Sequence, residues 1–222
     1  MISPITSYSP AQIAGLSRQE LESLTRADMA ALNFSQIGAL TTTEIEALAG
    51  TQLQALSTKQ VTALAATQIR ALTTSQIVFS AAQLAAFNAT QVQGFEPEDI
   101  AALTTTQIKG LTASELTAMT ADQIDAFSAT QIAAMSATQI RGFTATEVAG
   151  LDNQQFGALS AGQIGAFTTT QIKALSPDQV AALTTTQIKG LTAAEVAVMS
   201  STQVGALTTE QLPALSVGGF RV

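Results

Sequence analysis

The sequence predicts an all-α solenoid of very short helices, and three observations predict it. An eight-residue word recurs along the chain, spelled most clearly as Leu-Thr-Thr-Thr-Gln-Ile-Lys-Gly at 103–110. Each word carries the signature of a helix start. Its apolar residues are spaced so that neither one continuous helix nor a strand would gather them on a single face.

Taken in order, residues 1–8 form a leader, residues 9–215 hold about 26 words, and residues 216–222 are a degenerate tail of a single repeat domain spanning 1–222. The cap position of the word falls at Ser9, Ser17, Thr25, Asn33 and Thr41, and then every eight residues to Thr73. One residue is missing from the word at 73–79. The phase resumes at Ser80, Asn88, Glu96 and Thr104 and runs to Thr208. Within the word the order is Leu, Phe or Met; Ser or Thr; two variable residues; Gln or Glu; Ile, Val or Leu; one variable residue; Ala or Gly. Pro213, Gly218 and Gly219 spoil the pattern at the far end.

Ser or Thr followed three residues later by Gln or Glu is a capping box, in which each side chain satisfies a backbone N–H that a helix start leaves unpaired. Leu103 and Ile108 flank the box of Thr104 as a hydrophobic staple would. Pro10, Pro97 and Pro177 each follow a cap residue. That is the first helical position, where proline's missing N–H costs nothing. A continuous helix would drift by roughly 80° per eight residues, so no face would remain apolar. In a strand, Leu103 and Ile108 would point to opposite sides. One short helix per word, with a tight corner after it, is the arrangement left.

A second period suggests the size of the coil. Asp99, Glu115, Glu147 and Glu195 are separated by multiples of sixteen, as are Lys109, Arg141, Lys173 and Lys189, and Gly94, Gly110, Gly142 and Gly190. Alternate words therefore differ, and two words, sixteen residues, are expected per coil of an elongated solenoid. Stacking of neighbouring coils stabilises such repeats, because a single word cannot bury enough surface alone. The missing residue before Ser80 predicts a tightened, irregular corner.

Composition bounds the function. The net charge is -7 without any Lys/Arg run, which argues against a nucleic-acid or anionic-membrane partner. No apolar stretch approaches membrane-spanning length, so no membrane insertion is expected, and residues 1–15 lack a basic-then-apolar signal. Cys, His and Trp are absent. Thiol chemistry, imidazole catalysis, Cys/His metal sites and disulfides are thereby excluded. No phosphate loop, nucleophile elbow or calcium loop is present. The expected site is correspondingly empty: no catalytic, cofactor-binding or metal residue, no cofactor, and no enzyme.

The remaining candidates each have a structural explanation. Asp122 with Asp125, and Glu98 with Asp99, are possible carboxylate pairs for acid-base work or calcium, but they occupy ordinary box or variable positions. Asn33 and Asn88 begin glycosylation sequons and also occupy cap positions. Lys109, Arg141, Lys173 and Lys189 are expected on an exposed face near carboxylates. Thr41 to Thr43, Thr104 to Thr106, Thr168 to Thr170 and Thr184 to Thr186 are candidates for a lattice-matching array, although their second and third positions vary elsewhere in the chain.

The words at 103–110, Phe-Ser-Ala-Thr-Gln-Ile-Ala-Ala at 127–134 and Leu-Thr-Thr-Glu-Gln-Leu-Pro-Ala at 207–214 resemble the octapeptide Thr/Gln/Ile/Ala-rich repeats of large exported proteobacterial surface proteins. Those proteins are adhesin-like and sometimes labelled haem-utilisation proteins. The resemblance implies an extracellular or cell-surface location and a stalk, spacer or adhesion scaffold, facing an unknown protein or polysaccharide surface. It identifies no active residue, and a chain without His or Cys offers poor axial ligands to haem. The alternative is a binding module that presents one solenoid face to ice, a polysaccharide or a protein. A monomer, or a fragment of a larger chain, is expected.

Overall fold

The computed structural model describes residues 5–215, so residues 1–4 of the leader and the tail at 216–222 lie outside the described residues. The described chain contains 25 short α-helices and two 3₁₀ turns, and no strand. Each word gives one helix. Thr104 adopts an extended conformation as N-cap of helix Thr105–Ile108, and its hydroxyl accepts the Gln107 N–H at 3.3 Å. In return the Thr104 N–H donates to Gln107 Oε1 at 2.9 Å. Pro10, Pro97 and Pro177 stand at helix starts, as their missing N–H predicts. Ala49 and Ala65, which lack a hydroxyl, keep the other half of the box: their N–H groups donate to Gln52 and Gln68 at 2.7 and 2.6 Å.

The chain packs as two compact units, Met1–Leu111 with Ala118–Gln123, and Thr112–Thr117 with Ile124–Val222. Within each unit, a helix packs on the one three words away. In the first unit, helix Pro10–Ile13 meets Phe34–Ala39 and helix Arg18–Ser23 meets Thr42–Ala47. In the second, Ala145–Gly150 meets Thr169–Ala174 and Pro177–Ala182 meets Ser201–Gly205. All four partners start 24 residues apart.

The turn is therefore three words, not two, and the expected sixteen-residue coil is corrected to 24. The core shows why. Phe79, Phe87 and Phe95, one from each of three successive words, meet edge to face with ring centroids 5.3, 5.5 and 6.4 Å apart. Three large side chains, one from each word, thus meet at the centre of one turn. The sixteen-residue alternation in the sequence is thus not the structural period, although 48 residues is a multiple of both.

Along the words the large apolar positions are buried almost without exception, as Ile37, Ile45, Ile132 and Ile164 at 0 % exposure illustrate. The short word departs from the rest as expected. Thr74–Gln76 is a 3₁₀ turn in place of an α-helix, and Thr73 makes no side-chain cap bond to the backbone. Ile77 leaves it at φ -77°, ψ 64°. Losing one residue removes the room for a four-residue ring closure, and the tighter i→i+3 turn takes its place.

Candidate functional site

The most regular polar feature is the residue three positions after the cap. It is Gln in most words, and from Gln36 to Gln211 it is buried in every word but that of Glu147, whereas an isolated capping box leaves that side chain at the surface. Gln163 shows the reason. Its Oε1 accepts the Ser160 N–H at 2.8 Å, and its Nε2 donates to the Ile132 and Met135 carbonyls at 2.8 and 3.0 Å. Gln36, Gln68, Gln171 and Gln203 repeat the pattern, each donating to carbonyls 31 and 28 residues earlier. One amide thus satisfies an orphan N–H of its own helix and two carbonyls at a corner of the preceding turn. We call this the glutamine staple. The sequence reading found only its capping half. The excess of Gln over Glu was the available signal, since at an exposed helix start a carboxylate interacts better with the helix dipole.

Carboxylates at the same position separate by depth. Glu20, in the first turn, is exposed, and Asp28 is partly exposed. Hydrogen bonds from the Ser17 and Thr25 hydroxyls, then from their backbone N–H groups, hold both below the ordinary carboxylate range. Glu44, Asp99, Glu115 and Glu195 are buried. Burial pushes the carboxyls of Asp99, Glu115 and Glu147 upward, against the lowering effect of the N–H bonds from Glu96, Thr112 and Thr144. Glu115 Oε1 has no hydrogen-bond partner, a costly state for a buried charge.

The other sequence candidates do not converge. Glu98 is exposed while its neighbour Asp99 is buried, so the two point apart; Asp122 and Asp125 are each exposed. Asn33 and Asn88 act as caps, accepting the Gln36 and Gln91 N–H groups at 3.0 Å. Among the described residues no group of three His, Cys, Asp or Glu is placed to hold a metal. No described helix is long and apolar enough to cross a membrane.

The basic residues and the Thr clusters follow the corrected turn. Arg141 and Lys189 are two turns apart on one side of the second unit, and Lys173 lies on another, so the expected single basic face does not form. All three are exposed, as is Lys109. The two ion pairs among the described residues, Arg18–Glu22 at 3.8 Å and Arg70–Glu96 at 3.0 Å, involve none of them. Arg141 Nε donates instead to the Ala166 carbonyl at 2.8 Å. Thr168 to Thr170 and Thr184 to Thr186 are exposed but sixteen residues apart, two-thirds of a turn, and so face different sides.

What the geometry repeats is a stacking device, and parts of the chain match a known repeat family. Residues 92–129, 148–185 and 185–217 match the ALTTAQ repeat. The matched segments fall in both units and cover just under half of the chain. No curated protein sequence matches it. The likeness to the ALTTAQ repeat supports reading the chain as tandem copies of one small structural unit.

Proposed function

We propose that this chain is a non-enzymatic structural repeat segment, a stalk, spacer or adhesion scaffold, of a secreted or cell-surface protein. The observation that carries the reading is the recurrence of the glutamine staple. The word's most regular polar side chain is consumed in joining turn to turn, while the exposed positions after the cap vary among Thr, Ala, Ser, Pro, Asp and Arg. Such a division of labour suits a scaffold, in which length and regularity matter more than any one side chain. Export, toward a protein or polysaccharide surface, is supported by the resemblance to repeats of large proteobacterial surface proteins.

The test is to display the full chain on a cell and delete three-word blocks one at a time. For a scaffold, adhesion declines with the number of words removed, whichever block is chosen. Loss confined to one block would overturn the reading in favour of a binding module with a localised face. The dispersal of the Thr clusters over different sides already weighs against an ice-matching face.

A further inference from the structure

Two of the buried staple carboxylates, Asp99 and Glu115, are each 2 % exposed, as deep as Gln91 at 3 % and Gln123 at 2 %. Both keep the capping half of the staple. Asp99 Oδ2 accepts the Glu96 N–H at 3.1 Å, and Glu115 Oε2 accepts the Thr112 N–H. Neither keeps the donating half, because a carboxylate has no proton to give. Glu115 Oε1 is enclosed and without a partner. The Asp99 side chain makes no second hydrogen bond among the described residues.

Within the first unit the missing donation can be followed to its acceptors. Gln91 donates to the Val61 and Leu64 carbonyls at 2.9 and 2.7 Å. The carbonyls at the same spacing before Asp99 are those of Ile69 and Leu72, and among the described residues no side chain donates to them. A position built for a donor thus holds only acceptors. The smallest species that corrects this is a proton, which removes the buried charge and gives the carboxyl an O–H.

The charges nearby do not take the proton's place. Around Asp99, Glu96 and Glu98 on its own helix start add negative potential. Arg70 from the preceding turn is engaged by Glu96 at 3.0 Å. The 3₁₀ turn Thr74–Gln76, which packs on helix Pro97–Ala102, carries no titratable group, and Asp122 is exposed. Glu115 has no other titratable residue on its helix Ala113–Ala118, and residues 71–95 hold none. Lys109 and Asp125 are exposed, and Arg141 directs its Nε to the Ala166 carbonyl at 2.8 Å. Burial accordingly pushes both carboxyls above their ordinary values of 3.8 and 4.5, against the lowering effect of the Glu96 and Thr112 N–H bonds.

We propose that Asp99 and Glu115 are proton-binding staples, so that the stack takes up protons and tightens as its medium is acidified from neutral. An acid whose folded-state pKa is raised favours the fold when protonated, so stability rises as pH falls through the raised values toward 4.5 and 3.8. Glu20 and Asp28, held low by hydroxyl bonds, act in the opposite direction, but only below about the ordinary carboxylate range. A scaffold built this way is firmer in acid than at neutral pH, wherever the chain resides.

Thermal melts of the full chain between pH 7.5 and pH 5 test this. The wild-type midpoint should rise by about 2 °C or more on acidification. The isosteric pair Asp99→Asn with Glu115→Gln should melt higher than wild type at pH 7.5 and lose most of the rise. Asp122→Asn with Asp125→Asn removes the same two charges from exposed positions and should keep it, which separates the staples from a general relief of repulsion. In carbon-13 spectra, the two carboxyl signals that the buried pair of substitutions removes should titrate above 3.8 and 4.5. A midpoint that stays level or falls on acidification, a buried-site variant that keeps the rise, or an exposed-site variant that loses it would each overturn the proposal. So would titration of both signals at or below the ordinary values.

Discussion

At the scale of the residue, the word divides into side chains that work and side chains that vary. Thr104 caps its helix, whereas Thr105, at the first helical position, is exposed and makes no cap. Thr104→Ala should therefore cost about 1 kcal/mol and Thr105→Ala almost nothing; equal losses in denaturant titrations would contradict the box. The staple also predicts the effect of its exceptions. Glu115 is buried with one oxygen unpartnered, and burial raises its carboxyl above the ordinary value of 4.5. An acid whose folded-state pKa is raised favours the fold when protonated. Its penalty is fully present above the folded pKa and fades as pH falls toward the unfolded value. Glu115→Gln should thus stabilise the chain at pH 7, by roughly 1 to 3 kcal/mol. The gain should shrink as thermal melts are repeated toward pH 4.5. A gain that is constant with pH would mean that the carboxylate is not the cause.

At the scale of the element, four- to six-residue helices are stable because their ends are tied, not because they are long; a free peptide helix of that length would not persist. The corners must then tolerate close approach. A Cβ built on Gly190 would stand 2.1 Å from the Ala161 carbonyl oxygen, whereas one on Gly157 would meet nothing within 4 Å. Gly190→Ala should destabilise by about 1 to 3 kcal/mol through backbone displacement. Gly157→Ala, inside helix Asn153–Gly157, should stabilise by roughly 0.5 to 1 kcal/mol. Opposite signs in paired melts are the expected result. The short word is the other informative element. Leu56 N–H donates to the Leu53 carbonyl at 3.1 Å, but its counterpart on Phe79 has no hydrogen bond among the described residues. Hydrogen exchange should be faster at Phe79 than at Leu56, and equal protection would show that the lost residue is absorbed without local weakening.

At the scale of the whole molecule, the helices were legible in the sequence and the turn was not. Ser or Thr, Gln and the flanking apolar residues act within one word, so reading eight residues suffices to place a helix. The number of words per turn depends on how large side chains close the core, as Phe79, Phe87 and Phe95 do, and on staples that reach back 28 and 31 residues. Nearly identical words leave such long-range partners undistinguished. The sixteen-residue spacing of Asp99, Glu115, Glu147 and Glu195 was a misleading guide for the same reason, since any box position accepts a carboxylate if its N–H bond is kept. The candidate site was legible only in half: the capping bonds were foreseen, the two donations from each amide were not.

The 24-residue turn is directly testable because the chain has no native cysteine. Residues 145 and 169 lie on helices Ala145–Gly150 and Thr169–Ala174, which pack together, while residue 153 lies on the helix between two corners, sixteen residues before 169. All three positions are exposed or partly exposed. A chain carrying Ala145→Cys and Thr169→Cys should therefore cross-link rapidly with a short bismaleimide under native conditions. One carrying Asn153→Cys and Thr169→Cys should not. In denaturant, where only chain separation matters, the order should reverse, because the shorter loop closes more readily. Preferential native cross-linking of the 153–169 pair would restore the two-word coil and remove the basis for the staple's reach across turns.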